Sequence, residues 1–151
     1  MTAPKRWILP PVWLLLTLIL QYLLHRWFPI VELIPVPWRY AGIALMLFGL
    51  VMSATAANLF RLAKTPVVPF TPSTALVLNG WFRYTRNPMY LGMVLGCIGL
   101  AITLGCVGAW LPIPVFVAII RLRFIRGEEV FLEGIFGEDY RRYRTQVRRW
   151  L

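Results

Sequence analysis

The residues of this chain best suited to chemistry stand in two short segments, on either side of a long apolar run. Residues 86–90 (RNPMY) place a guanidinium, an amide and a phenol around a proline. The second segment is Glu128 and Glu129, since no Asp or Glu occurs between Glu32 and Glu128. The single histidine, His25, lies far from both. A metal site or a Ser-His-Asp triad therefore lacks its ligands or partners, and we expect no metal.

Residues 86–90 have the pattern of a helix start. Asn87 suits the N-cap and Pro88 suits the first helical position. The same arrangement presents backbone N–H groups and the positive end of the helix dipole at residues 88–90, which favours an anionic or lone-pair-rich ligand group. The pattern alone is compatible with a helix cap and with a cap that also binds a ligand.

Glu128 and Glu129 likewise have two interpretations. They could balance the charges of Arg123 and Arg126, or they could face inward and hold a cationic ligand. Apolar residues alternate with acidic ones just beyond them at helical spacing, which predicts an amphipathic helix lying against a membrane.

The elements that position these groups are predicted to be membrane helices. With 59% hydrophobic residues among 151 and a mean hydropathy of +0.67, the chain has more apolar surface than a small soluble core can bury. A span takes roughly 20 residues, so the 34 uncharged residues between Arg86 and Arg121 fit a helical hairpin that turns near residues 105–114. We predict an all-α integral membrane protein, a single domain of residues 1–151, with spans at about 7–28, 40–62, 88–106 and 109–125.

The distribution of basic residues predicts the orientation. Lys5 and Arg6 precede the first span, and basic residues also cluster in the loop 63–87 and in the C-terminal segment 126–151. The positive-inside rule places these regions and both termini in the cytoplasm, at the inner membrane if the chain is bacterial. The net charge of +10 is explained by arginines at lipid headgroups, so nucleic acid is not an expected partner.

Three further patterns concern packing. Gly92, Gly96, Gly99 and Thr103 form a stripe that could pack against the small and polar residues of 53–58 or allow a flat ligand to approach the backbone. The loop before residue 86 is rich in both proline and aromatic residues, which suits a lid over the helix ends better than a plain linker. Cys97 and Cys106 are expected on opposite faces of one helix, where they cannot form a disulfide.

The order of the motifs resembles that of a known family. The segment TALVLNGWFRYTRNPMYLG, a hydrophobic hairpin and GEEVFLEGIFGEDYRRYRTQVRRWL follow in order from residue 74 to residue 151. This order is similar to that of the isoprenylcysteine carboxyl methyltransferase family, integral-membrane enzymes that use S-adenosylmethionine. Phospholipid N-methyltransferases share the general signature.

The resemblance implies a cofactor pocket for S-adenosylmethionine and its product S-adenosylhomocysteine. Its residues correspond to a segment before the helix start, to the Arg-His-Pro-x-Tyr motif of the family and to its Glu-Glu pair. Glu128 is the preferred cofactor ligand of that pair. The implied cofactor-binding residues are Thr74, Ala75, Leu76, Val77, Phe82, Arg86, Asn87, Pro88, Met89, Tyr90, Glu128 and Glu129.

The chain departs from the family pattern at two positions. Asn87 replaces the usual histidine, which keeps a hydrogen-bonding side chain but removes a titratable ring. Phe124 stands where the prenylcysteine enzymes carry an arginine for the substrate carboxylate, so the flanking Arg123 and Arg126 are predicted, with Glu128, as the catalytic residues. This departure weakens the assignment of a carboxylate acceptor.

The sequence therefore predicts an S-adenosylmethionine-dependent methyltransferase with a hydrophobic, lipid-like or lipidated acceptor and with membrane lipids as partners. Phospholipid N-methylation and S-methylation of a small thiol are alternatives among enzymes. The alternative of another class is a non-catalytic membrane scaffold in which the helix start and the glutamates are caps and counter-ions. The methylated atom and the oligomeric state are left open.

Overall fold

The computed structural model describes residues 9–66, 71 and 74–151, and this part of the chain is helical without a β-strand. A lone β-bridge pairs Glu32 with Cys106. The predicted all-α class is confirmed, whereas the start of the first predicted span, with Lys5 and Arg6, lies outside the described residues. The α-helices are α1 (Pro10–Trp27), α2 (Tyr40–Leu62), α3 (Pro88–Leu104), α4 (Pro112–Ile120) and α5 (Arg126–Gln146).

Two helical segments of the described chain are long and apolar enough to cross a membrane, judged by length and composition. They are Tyr40–Leu62 and the continuous run Val107–Gln146, and Pro88–Leu104 is apolar but shorter. The count of four spans therefore stays a prediction.

Helices α2 and α3 pack through their small residues. Two pairs of glycines face each other, Gly42 with Gly99 and Gly49 with Gly92, and a Cβ atom at any of these four would collide with the opposite helix. Beyond them, Ser53 Oγ donates a hydrogen bond to the carbonyl of Met89 at 3.0 Å. Close approach of this kind is typical of helices packed in lipid. The stripe thus packs helices, except at Gly96, where a Cβ would meet no atom within 4 Å.

The hairpin turns within the predicted range 105–114, but helix α3 ends two residues before the predicted end of the third span at 106. Helix α3 ends at Leu104, because Gly105 adopts a left-handed conformation (φ 72°) and donates its N–H to the carbonyl of Ala101. Cys106 therefore lies beyond the helix, which corrects the placement of both cysteines on one helix. Cys97 and Cys106 are free, as expected.

The second arm of the hairpin continues without interruption into the C-terminal helix. A 3₁₀ turn (Val107–Trp110) leads into α4, and a π-helical turn (Arg121–Ile125) joins α4 to α5. The predicted boundary between residues 125 and 126 is therefore not a break in the helix. Within α5 the backbone of Gly137 leaves the helical region (φ 52°, ψ −120°), so the chain changes direction there.

The core lies between α3 and the second arm of the hairpin. Tyr90, Cys97, Phe116 and Phe124 are among its buried members. Gln21, buried in α1, donates through Nε2 to the carbonyls of Cys97 (2.9 Å) and Ala109 (2.8 Å), which attaches α1 to this core. The packing places the start of α3 beside the start of α5.

Candidate active site

A cavity opens where the start of α3 meets helix α5 and the loop that precedes α3. Its empty space is about 600 Å³, which includes open solvent at the mouth. Its lining combines apolar side chains with charged and phenolic groups. The lining residues are Phe60, Ala75, Leu76, Val77, Phe82, Arg86, Asn87, Pro88, Met89, Tyr90, Glu128, Glu129, Leu132, Tyr140 and Tyr143.

Eleven of the twelve residues implied as cofactor-binding line this cavity. Thr74 does not line it: its Oγ1 donates to the carbonyl of Lys64 at 3.2 Å, and its N–H donates to Thr65 Oγ1 at 3.1 Å. The loop also contacts α2, since Trp81 Nε1 donates to Thr55 Oγ1 at 2.8 Å. The structure thus brings together residues from separate parts of the chain.

Arg123 and Arg126, the other residues predicted as catalytic, are exposed and do not line the cavity. The π-helical turn directs Phe124 inward, where its ring centroid lies 6.4 Å from that of Tyr90. The Arg123 guanidinium instead lies over the ring of Trp13 in α1, 5.7 Å from the centroid. The geometry therefore gives these two arginines no contact with the cavity, and only Glu128 of the predicted catalytic set reaches it.

Glu128 joins the two helices that form the cavity. The Tyr90 hydroxyl of α3 donates to Glu128 Oε1 of α5 at 2.7 Å. A hydrogen bond to a carboxylate is stronger than one between neutral groups and fixes the direction of the acceptor. Tyr90 rests on the buried ring of Phe124, so its hydroxyl is held in turn by the core.

Glu129 has a different environment, because its carboxylate is buried between two arginines. Arg149 donates to both oxygens, from Nε at 2.9 Å and from Nη2 at 2.6 Å, and Arg86 Nη1 lies 3.2 Å from Oε1. Hydrogen bonding to Glu129 raises the pKa of Arg149 above its ordinary value. Glu129 is therefore a counter-ion for Arg86 and Arg149, whereas the sequence had suggested Arg123 and Arg126.

Asn87 occupies the N-cap position of α3, but its side chain does not cap the helix. Its Nδ2 instead donates to the carbonyl of Arg149 at 3.0 Å, and the N–H of Arg86 donates to the carbonyl of Arg148 at 2.9 Å. The Thr85 hydroxyl donates to the same Arg149 carbonyl at 3.2 Å. The chain end therefore holds the start of α3 in place, and the amide of Asn87 serves this attachment.

The tyrosines after Gly137 complete the cavity. The Tyr143 hydroxyl donates to the carbonyl of Phe82 at 2.7 Å, which holds the loop against α5. Burial raises the pKa of Tyr140, with a further contribution from the charge of Glu129. Tyr140 therefore presents a neutral phenol to the cavity at pH 7.

Sequence reasoning missed Phe60, Leu132, both tyrosines and the arginines of the chain end as parts of this site. Only the conformation of Gly137 and the return of the chain end bring Tyr140, Tyr143 and Arg149 to it. The one signal available was that the segment resembling the family extends to residue 151.

The guanidinium of Arg86 is the least satisfied polar group at the cavity. Its side chain is 9% exposed, and its Nε and Nη1 atoms lack a well-aligned hydrogen-bond acceptor within the described chain, although Nη1 forms an ion pair with Glu129 and Tyr140 lies close by. Buried donors in folded proteins nearly always have a partner. The site can therefore accept an anionic group at Arg86.

Comparison with known proteins identifies the family. A family model described as phospholipid methyltransferase matches residues 38–139. An uncharacterized protein of Haemophilus influenzae is 43% identical over 63 residues, which are 42% of this chain and the whole of that protein. No solved structure matches the chain.

The chain belongs to the phospholipid methyltransferase family, because the match covers more than half of its length. This family is a member of the group of membrane methyltransferases that are similar to isoprenylcysteine carboxyl methyltransferase. The resemblance seen in the sequence is thereby confirmed. The family implies methyltransferase activity.

Proposed function

We propose that this protein is an S-adenosylmethionine-dependent methyltransferase of the membrane that methylates a hydrophobic or membrane-associated acceptor. The observation that carries the proposal is the meeting of the motif at residues 86–90 with Glu128 in one cavity. These groups are 38 positions apart in sequence between Tyr90 and Glu128, yet they share a hydrogen bond.

The charges of the cavity suit the amino-acid end of S-adenosylmethionine, which carries an ammonium and a carboxylate. Glu128 offers a carboxylate to the cation, and Arg86 has unsatisfied buried donors for the anion. Glu129 is less suited to the cation because two arginines already balance its charge. The apolar side chains of Phe60, Phe82 and Leu132 supply a surface for the uncharged part of the ligand.

When bound, S-adenosylmethionine supplies an electrophilic methyl group carried on a sulfonium. Transfer of such a group requires alignment more than it requires acid–base chemistry, and positioning can account for much of the rate. Here Tyr90 fixes Glu128, and the chain end fixes Arg86 and Asn87. A ligand packed against the apolar lining would displace water, which would strengthen the electrostatic contacts inside the cavity.

The proposed acceptor enters from the lipid side and belongs to the lipid-like class. The family description favours a phospholipid. Phe124 is buried beneath Tyr90, and Arg123 and Arg126 point away, so no extra arginine of the π-helical turn stands ready for an acceptor carboxylate. These positions favour a lipid amine over a prenylcysteine carboxylate.

The proposed topology has four spans in one domain, with both termini and the cavity on the cytoplasmic side. Large apolar side chains along α1, such as Leu15, Leu16 and Ile19, are about half exposed, which suits a surface in contact with lipid. Arginines at the π-helical turn and in the C-terminal segment suit the anionic cytoplasmic leaflet. A nucleic-acid partner is not proposed.

Binding of S-adenosylhomocysteine to the full chain in detergent tests the proposal. Calorimetric titration should show one site, and Glu128→Ala should weaken it at least about tenfold, because a charge-assisted contact is lost. The matched control is Glu138→Ala on the same helix, whose side chain is 78% exposed and outside the cavity.

Two results would contradict the proposal in different ways. Absence of binding by folded wild-type protein would favour the scaffold alternative. Equal affinity of wild type and Glu128→Ala would remove Glu128 from the site and direct attention to Glu129. A methyl-transfer assay with labelled cofactor and fractionated membrane lipids then identifies the acceptor.

A further inference from the structure

A second concave surface lies on the outer face of α1 and α4, away from the cavity. It is a groove lined by Trp13, Leu16, Thr17, Leu20, Leu24, Leu111, Pro112, Val115, Phe116 and Ile119. None of these residues lines the cavity described above. The groove is therefore a separate feature of the fold.

The lining of the groove suits a hydrocarbon chain. Thr17 is the one lining residue with a hydroxyl group, and this hydroxyl already donates to the carbonyl of Trp13 at 2.8 Å. From Trp13 to Leu24 the helix rises about 16 Å at about 1.5 Å per residue. That length is close to half of a bilayer core of about 30 Å, the depth of one leaflet.

One end of the groove is positively charged. The guanidinium of Arg123 lies over the ring of Trp13, which lines that end, and no carboxylate of the described chain forms an ion pair with Arg123. Arg123 is exposed, so it is accessible to a headgroup. Basic groups beside a cleft between membrane helices on the cytoplasmic side are suited to anionic lipid headgroups.

A second protein helix fits this groove less well. Contacts between helices in lipid are enriched in small residues, whereas the groove is lined mainly by Leu, Ile, Val, Phe and Trp. The glycines of α2 and α3 already face each other. A flexible acyl chain can follow such a surface without close approach of two backbones.

We propose that the groove between α1 and α4 binds one anionic phospholipid, with an acyl chain along the groove and the phosphate at Arg123. The inference uses the proposed membrane topology but not the proposed methyl transfer. Because the groove and the cavity share no residue, this lipid is a bound structural lipid and not the acceptor.

The test is native mass spectrometry of the full chain in detergent, titrated with phosphatidylglycerol or with phosphatidylcholine. The wild-type protein should bind phosphatidylglycerol more tightly than phosphatidylcholine. Arg123→Gln should weaken the binding of phosphatidylglycerol about fivefold, the contribution expected of one arginine near a headgroup. The affinity for phosphatidylcholine should not change. Arg121→Gln, at a neighbouring exposed arginine, is the matched control and should have a clearly smaller effect.

A second pair of variants tests the groove itself. Val115→Trp should fill the groove and weaken the binding of both lipids. Val130→Trp, at an exposed position of α5, should weaken the binding of neither lipid. Equal losses in Arg121→Gln and Arg123→Gln, or no effect of Val115→Trp, would overturn the proposal. A change of oligomeric mass in Val115→Trp would show that a second copy covers the groove. The affinity for S-adenosylhomocysteine should be unchanged in all four variants. Lipid binding is measured independently of methyl transfer, so failure of the proposed function would not alter the lipid-binding result.

Discussion

The two ends of α3 differ in how their polar groups are satisfied. At its C-terminal end, the carbonyl of Gly105 accepts the N–H groups of Leu33 (2.7 Å) and Ile34 (3.1 Å). Arg39 Nε donates to the carbonyl of Ile34 at 2.7 Å, and its Nη2 lies 3.3 Å from Glu32. This end is closed by contacts within the chain.

At the N-terminal end, the polar groups are only partly satisfied by the chain. Arg86 is buried with two donor atoms that lack a hydrogen-bond acceptor in the described structure. The Asn87 side chain bonds to Arg149 and does not cap α3. A cavity lies against this end, whereas a β-bridge and a tight turn lie against the other.

The difference indicates which end serves stability alone and which can also serve a ligand. A closed end gains little from a bound molecule, since its donors and acceptors are already paired. An end with buried, incompletely paired charge is costly unless a ligand completes it. Four substitutions test this comparison, from the largest expected effect to the smallest.

Glu129→Ala should have the largest effect, because it leaves Arg86 and Arg149 beside each other without their shared carboxylate. Loss of one partner of a buried ion pair costs about 3–5 kcal/mol. Thermal or denaturant unfolding in detergent should show this loss. The exposed Glu138→Ala is the control and should be nearly neutral. A near-neutral effect of Glu129→Ala on the free energy of unfolding would show that burial of the two arginines does not depend on this carboxylate.

Gly105→Ala should disturb the closed end alone. A side chain is strained in the left-handed conformation, and a Cβ there would collide with Arg39 and with the carbonyl of Ile34, so we expect a loss of about 1–3 kcal/mol in unfolding free energy. S-adenosylhomocysteine affinity should not change. Gly134→Ala, where a Cβ meets no atom within 4 Å, is the control. Altered affinity in Gly105→Ala would mean that the two ends are coupled.

Asn87→Ala should have a smaller effect at the open end. It removes one donor to the Arg149 carbonyl, which still accepts from Thr85, so about 0.5–1.5 kcal/mol of unfolding free energy should be lost. Asn58→Ala, at an exposed position of α2, serves as the control. If Asn87→Ala abolished cofactor binding without loss of stability, Asn87 would contact the ligand directly.

Arg141→Ala should have the smallest effect, because it alters an exposed network that does not line the cavity. Arg141 bonds to Glu133 at 2.8 Å and to Glu138 at 2.6 Å, and the bond from Arg141 lowers the pKa of Glu133. The contribution of Glu133 is therefore present above the ordinary pKa of a glutamate and is lost as pH falls through the lowered value. The melting temperatures of wild type and Arg141→Ala should differ slightly at pH 7 and converge in acid. A difference that persists in acid would assign the effect to packing.

Much of the fold and a large part of the cavity could be predicted from the sequence. The bounds of α2 agree with the predicted span 40–62, and Pro88 begins α3 as expected, because apolar runs, Pro and Gly act locally. Eleven of the residues implied by the family resemblance line the cavity. That prediction succeeded because several motifs in a fixed order are more specific than any single motif. The inward direction of Phe124 could not be predicted, since Phe124 lies in a π-helical turn with no periodic signal in the sequence.

The amino-acid sequence determined that this chain is helical, apolar and a member of a methyltransferase family, because composition and motif order are properties of the chain itself. It also placed Glu128 and Glu129 side by side, and only the family resemblance favoured Glu128. Only the tertiary structure decided that Glu128 meets Tyr90 while Glu129 is enclosed by Arg86 and Arg149. The physical reason is that the environment of a charge depends on groups distant in sequence, and these are brought near only when the helices pack and the chain end returns.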